Sequence, residues 1–304
     1  MNQTTLHKAT APLSSPGLHT GHTNIVALHP APVNTGIVFR RIDLDPFVEI
    51  PVNVDRVCDT SRNTTLRQGD VSIATIEHVL SALTGLHVDN CVVEINGDEV
   101  PILDGSAHYW VQAIQQAGIQ QQDAPRRYLQ VTKPLTMLGN KEGVEYIALP
   151  SDEFRVTAII DFKSRVIGKQ VAEFRSSNDD YIPEISSCRT FVFLHEILPL
   201  LEAGLIKGGA LSNAIVFVEQ SLSDEQKNHL ADLFGNQVKE LKVENGVLNT
   251  SPHRFNNEPA RHKLLDFMGD IRLLGCPVKG HFIIRCPGHK NNADFCKFLL
   301  QQLN

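Results

Sequence analysis

Two helix-then-strand pairs, one in each half of the chain, constrain its fold most tightly. In the first, residues 75–86 carry Ile76, Val79, Leu80 and Leu83 at helical spacing behind Thr75 as N-cap. Gly85 closes this helix before the apolar run Cys91–Ile95. In the second, residues 258–274 carry Leu264, Leu265, Phe267, Met268 and Ile271, and Gly275 leads on to a strand-type run at 280–285. Each helix has a histidine near its start, in Glu77-His78 and in Arg261-His262. Short strand-type segments at 25–28, 36–39, 48–54 and 71–74 come before the first helix, and segments at 129–131, 144–149 and 154–162 come before the second. Helices over about 106–117 and from about 291 follow. Strands and then helices, made twice, predict an α+β protein. Its two similar two-layer sandwich domains would each be a sheet packed on helices, with the active site between them. The polar, proline-containing stretch 120–127 predicts the boundary, giving an N-terminal domain at 1–124 and a C-terminal domain at 125–304.

With 304 residues, 42% hydrophobic and 20% charged, the chain can bury a substantial core, and disorder is excluded. The net charge of −6, from 34 acidic and 28 basic residues with no long basic run, argues against nucleic acid as a partner. Residues 1–15 are polar and lack an export signal, and no run approaches the roughly 20 apolar residues of a membrane span. A cytoplasmic protein with no transmembrane segment is expected. The six cysteines contain no C-x-x-C pair and read as reduced, mostly buried small hydrophobes. Even spacing of Cys276, Cys286 and Cys296 does not by itself make a metal site.

His262, Asp266 and Asp270 recur at i, i+4 and i+8, so they share one face of the second helix, apart from its core face. A histidine and a carboxylate one turn apart can bind one cation, and zinc suits such nitrogen and oxygen ligands. By itself the pattern also describes a solvated pair. His78 is the candidate third ligand, and the adjacent Glu77 raises the case, because a carboxylate there could take a proton from a metal-activated water.

Seven strings then occur in order: Pro16-Gly17-Leu18-His19-Thr20-Gly21, Asp59-Thr60-Ser61, Ser72-Ile73-Ala74-Thr75-Ile76-Glu77-His78, Glu99-Val100-Pro101-Ile102-Leu103-Asp104-Gly105-Ser106, Arg189-Thr190-Phe191, Arg261-His262-Lys263-Leu264-Leu265-Asp266 and Pro287-Gly288-His289. Together they resemble the UDP-3-O-acyl-N-acetylglucosamine deacetylases, zinc-dependent amide hydrolases of lipid A biosynthesis. The resemblance implies a Zn2+ site of His78, His262 and Asp266, with Glu77 as general base. It implies His289 as the charged acid for the leaving amine, Asp270 as its orienting carboxylate, Thr190 as an oxyanion-binding hydroxyl and Lys263 as a substrate contact. The substrate it implies is a UDP-linked sugar bearing a 3-hydroxyacyl chain, whose acetamide is hydrolysed.

Residues 191–234 read from pattern alone as an extra layer of core, with a helical run at 195–205 and a strand at 214–219. The resemblance instead implies that an insertion at about 191–213 forms a passage for the acyl chain, lined by Phe191, Leu198, Leu201, Leu205 and Leu211. Leu149 and Cys286 stand where members of that family carry basic residues, which leaves Arg285 and Phe162 as the nucleotide contacts. His19 and His22 are read as structural or peripheral. The stretch 256–289 is most similar to forms fused to a 3-hydroxyacyl-carrier-protein dehydratase. The alternatives are a metal-dependent phosphohydrolase, which would need a second metal and more acidic ligands, and a non-catalytic nucleotide-sugar-binding relative, which would have lost its base or acid.

Overall fold

The computed structural model describes residues 1–220, 223–234, 243–248 and 252–303. The chain begins with β1 (Asn2–Leu6), and β2 (Leu13–Pro16), β3 (Thr23–Pro30), β4 (Ile37–Arg41) and β5 (Val48–Pro51) follow. Next come a small three-stranded sheet of β6 (Val57–Asp59), β7 (Thr65–Gln68) and β8 (Val71–Ile73), then α1 (Glu77–Gly85), β9 (Cys91–Ile95) and α2 (His108–Ala117). The main sheet of this half has the order β2-β3-β9-β4-β5, with β9 antiparallel to β3 and parallel to β4.

The second half repeats this arrangement strand for strand. β12 (Leu135–Leu138), β13 (Glu145–Leu149), β14 (Phe154–Asp161), β15 (Lys169–Arg175) and β18 (Val278–Arg285) form a sheet of order β12-β13-β18-β14-β15. Here too the last strand, β18, lies antiparallel to β13 and parallel to β14. α6 (Glu258–Asp270) precedes β18 as α1 precedes β9, and α7 (His289–Leu303) follows it as α2 follows β9. Burial alternates along β14 and β18, as expected of a sheet with one face on a core. The two similar α+β halves read from the sequence are therefore present.

The expected boundary stretch, residues 120–127, is not irregular. Most of them lie in β10 (Ile119–Pro125), which pairs antiparallel with β1 and returns the chain to its own beginning. Arg126 then closes a buried ion pair with Asp89 at 2.8 Å. The alternation of exposed and half-buried residues along β10 is a weak edge pattern that three successive glutamines hide. A two-residue strand, β11 (Leu129–Gln130), pairs with β18 as the chain enters the second half. The first helix also starts later than its pattern suggests. Thr75 does not cap it; its hydroxyl donates instead to Glu99 Oε1 at 2.9 Å, and no side chain caps α1.

The insertion holds β16 (Phe191–Phe193) and β17 (Ile215–Phe217), a parallel pair joined through α4 (Leu194–Glu202). Short α3 (Tyr181–Glu184) lies before it and α5 (Asp224–Phe234) after it. Ile197, Val216, Val218, Leu230 and Leu248 form a separate small core. All six cysteines are free thiols; Cys91, Cys188 and Cys296 are buried, while Cys58 is exposed. Among the described residues no helix is long and apolar enough to cross a membrane.

The halves meet most closely where α1 packs directly on α6, and the main core continues from one half into the other. A Cβ at Gly269 would lie 2.0 Å from the carbonyl oxygen of Glu77, so only glycine lets the start of α1 rest on α6. Gly269→Ala is expected to cost about 1–3 kcal/mol through overpacking, seen as a lower midpoint of thermal unfolding. An unchanged midpoint would show that the helices do not meet so closely.

Candidate active site

The first turn of α1 presents Glu77 and His78 to the face of α6 that carries His262, Lys263, Asp266 and Asp270. All of these except Lys263 are buried. One ligand atom each from His78, His262 and Asp266 lie within 4.8 Å of one another. Asp266 Oδ1 stands 3.6 Å from His78 Nε2 and 3.3 Å from His262 Nε2. The other ring nitrogen of His262, Nδ1, donates to the carbonyl of Cys188 at 3.1 Å when it carries the proton. That bond fixes the tautomer that leaves Nε2 free as a ligand, an orienting device common around metal-bound imidazoles. Three buried donors, two nitrogen and one oxygen, fit a divalent cation such as zinc.

Burial alone would push Asp266 toward its neutral form, but His262 and Lys263 outweigh it and hold the carboxyl well below the usual range. Lys263 Nζ reaches Asp266 Oδ2 at 2.8 Å. Burial dominates at His262 and lowers it from 6.5 to about 4, so its ring is neutral and able to coordinate. The same desolvation raises Glu77, against the opposing charges of His289 and His78.

His289 is the first residue of α7, reached from β18 through Cys286-Pro287-Gly288. Its Nδ1 donates to Asp270 Oδ2 at 3.0 Å. Burial works against a charged ring there, but Asp270, Glu77 and Asp266 overcome it and raise His289 from 6.5 to about 9. Asp270 is itself held by the Thr64 hydroxyl at 2.6 Å and by Asn292 Nδ2 at 2.7 Å. Asn292 in turn accepts from the Tyr146 hydroxyl at 2.6 Å. Thr64 also donates its backbone N–H to Glu77 Oε2 at 3.1 Å, so one residue steadies both ends of the site.

Thr190 joins this cleft from the position just before β16, the strand that opens the insertion. The preceding Arg189 forms a buried ion pair with Glu258 at the start of α6, at 2.9 Å. Burial opposes the Glu258 charge, but hydrogen bonds from His253, Arg189 and Arg254 bring its pKa down to about 2. Glu77, His78, His262, Asp266, Lys263, Thr190 and His289 all line one cleft, as does Phe162. Asp270 lies behind His289, fully buried.

A second, apolar cavity opens beside the cleft, and Phe191 and Leu211 line it. Leu198 does not: it is 40% exposed on the outer side of α4. The inward stripe of that helix is Leu194, Ile197 and Leu201, which shares Leu201 with the expected set but leaves out Leu198, and Leu200 joins it at the cavity. Leu201 packs on the small core and Leu205 is half-buried, and neither lines the cavity. Arg285 ends β18 exposed and lies outside the cleft, because the alternation of that strand turns it to solvent. The basic side chains that do line the cleft are Arg62, Lys141, Lys263 and Lys290.

Residues 3–234 and 238–301 match a family profile described as UDP-3-O-acyl N-acetylglycosamine deacetylase, or LpxC. The chain belongs to the LpxC family. It is 43% identical over 288 residues to a bifunctional enzyme LpxC/FabZ of Chlorobaculum tepidum, covering 94% of this chain and 62% of that protein. A bifunctional enzyme LpxC/FabZ of Porphyromonas gingivalis is 40% identical, with 96% of this chain and 63% of the relative covered. A UDP-3-O-acyl-N-acetylglucosamine deacetylase of Teredinibacter turnerae is 39% identical over 94% of this chain and 86% of its own length. This LpxC-family chain thus spans less than two thirds of the two bifunctional relatives.

With its pKa raised, His289 adds stability that is complete below about pH 6.5 and is lost as the pH rises through about 9. NMR titration of the ring is expected to give the high value, and Asp270→Asn to bring it down toward 6.5. A ring titrating near 6.5 in the unaltered protein would show that the two groups are not coupled.

Proposed function

We propose that the chain is a zinc-dependent deacetylase. It would hydrolyse the acetamide of UDP-3-O-(3-hydroxyacyl)-N-acetylglucosamine to the free amine and acetate, in the cytoplasm and as a step of lipid A biosynthesis. The observation that carries this reading is the joining of four groups in one cleft: the His78, His262 and Asp266 cluster, a buried carboxylate at Glu77, a cationic ring at His289 and the Thr190 hydroxyl. Family membership supports it, and so do the names of the relatives.

A zinc ion held by His78, His262 and Asp266 would supply Lewis acidity, polarising the amide carbonyl and easing the ionisation of water. Glu77, beside the cluster, takes the proton of the attacking water. Its raised pKa makes it a better base than an exposed glutamate. The Thr190 hydroxyl donates to the oxygen on which negative charge develops. His289 enters protonated, stabilises that charge and delivers its proton to the departing nitrogen, while Asp270 keeps the ring oriented. Phe191 and Leu211 border the passage for the acyl chain, and Lys263 with Phe162 contacts the sugar nucleotide side. Fusion to, or association with, a 3-hydroxyacyl-carrier-protein dehydratase fits the identity to the bifunctional enzymes.

Activity requires Glu77 ionised and His289 protonated. The rate is therefore expected to rise through an acid limb above pH 4.5 and to fall as the pH passes about 9. Glu77→Ala is expected to lower kcat by about 10²–10⁴, and chelation to abolish turnover until zinc is restored. Deacetylation of the UDP-linked substrate that survives both treatments would sink the proposal.

A further inference from the structure

His19 is 6% exposed, and neither of its ring nitrogens has a hydrogen-bond partner among the described residues. An unmet buried imidazole is costly, and native structures seldom carry one without a use. The ring lines the apolar cavity built by the insertion, among Leu194, Ile197, Leu211 and Val216. Leu18, Arg62, Thr190 and Phe191 line both that cavity and the cleft holding the candidate metal ligands, so His19 stands next to the passage from one to the other.

The position of the ring in the wall is built by both halves of the chain. His19 N–H donates to the buried carboxylate of Glu99 at 2.8 Å, and the His19 carbonyl accepts from Lys207 N–H at 3.2 Å. Gly208 N–H donates to the Leu18 carbonyl at 3.0 Å. A Cβ at Gly208 would lie 2.1 Å from the Gly17 carbonyl oxygen, so the insertion is pressed onto the His19 loop. The expectation that His19 is structural accounts for its backbone and leaves its ring unexplained. Burial, more than the opposing charge of Glu99, lowers the pKa of the ring, which leaves one nitrogen a donor and the other an acceptor.

We propose that His19 is a specificity-determining residue that hydrogen-bonds a hydroxyl group carried near the head of the acyl chain, and so selects hydroxylated over plain acyl chains. This rests on the deacetylase reading above. An acyl chain entering the cavity from the cleft carries its oxygens at the head and only methylene groups beyond. A hydroxyl both donates and accepts, so it can pair with a neutral imidazole whichever nitrogen holds the proton. A plain chain would bury the ring against methylene groups and leave it unmet, and sites built to bind a hydroxyl reject analogues that lack it.

The test compares kcat/KM for the 3-hydroxyacyl substrate and its 3-deoxy analogue, in the unaltered protein, His19→Leu and His19→Gln. The same proteins are titrated calorimetrically with 3-hydroxytetradecanoate and tetradecanoate. The unaltered protein is expected to prefer the hydroxylated member of each pair by about tenfold or more, the worth of one buried hydrogen bond. The preference should fall to near one in His19→Leu and recover in part in His19→Gln. His19→Leu should melt no lower than the unaltered protein, since it removes two unmet polar atoms. A preference near one in the unaltered protein, or one that His19→Leu leaves intact, overturns the assignment. If neither substrate is hydrolysed but the fatty acids are still discriminated through His19, the deacetylase reading fails and the His19 assignment stands.

Discussion

The cleft exists because α1 can rest on α6 at Gly269, where any side chain would strike the Glu77 carbonyl. Two of the candidate metal ligands, His262 and Asp266, sit one turn apart on α6, and the helix alone fixes their separation. The third, His78, belongs to the other half of the chain. Its distance from them is the distance between two helices, and Gly269 sets that distance one turn from Asp266. Glu77 arrives by the same contact. A duplicated fold gives each half a helix at the shared interface, and the glycine, in the last turn of α6, brings the first turn of α1 within reach of an ion shared with His262 and Asp266.

Close approach also concentrates charge. Glu77, Asp266 and Asp270 lie buried with three histidines, and uncompensated carboxylates in such a place would be strongly unfavourable. The compensation is local and specific. Lys263 meets Asp266, while Asp270 receives Thr64, Asn292 and His289 together. The carboxylates that need a cation nearby are the ones that keep His289 charged, so stabilising the fold and preparing an acid are one arrangement. Arg189 and Glu258 play a separate part: their buried pair fastens Thr190 and the root of the insertion to the start of α6.

Much of this was legible in residues. The helices around Glu77-His78 and Arg261-His262 announced themselves by apolar spacing, and the spacing of His262, Asp266 and Asp270 placed them on one face. Three parts were not legible. β1 and β10 pair across more than a hundred residues with only a polar edge pattern, which shows no strand in the sequence. Thr64 and Asn292 reach Asp270, and Tyr146 reaches Asn292, only through the tertiary fold, and nothing in their neighbourhoods marks them. In α4 the apolar residues are dense enough to permit two stripes, and the choice between Leu194-Ile197-Leu201 and the stripe through Leu198 is made by what the helix packs on.

Three of the eight described non-glycine residues with positive φ lie at the same cleft. Thr75, Arg62 and Cys286 line it with φ of +59°, +72° and +48°, a region that costs non-glycine residues free energy, most of all a β-branched one such as Thr75. At Thr75 the compensating contact is visible. Its hydroxyl donates to Glu99, a fully buried carboxylate that also receives the Thr20 hydroxyl and the backbone N–H groups of His19 and Thr20. Glu99 thus holds the residue that turns the chain into α1 and the loop that sets His19 in the cavity wall. The start of α1 and the wall of the apolar cavity are fixed by one side chain, so neither can shift without leaving donors unmet at the other.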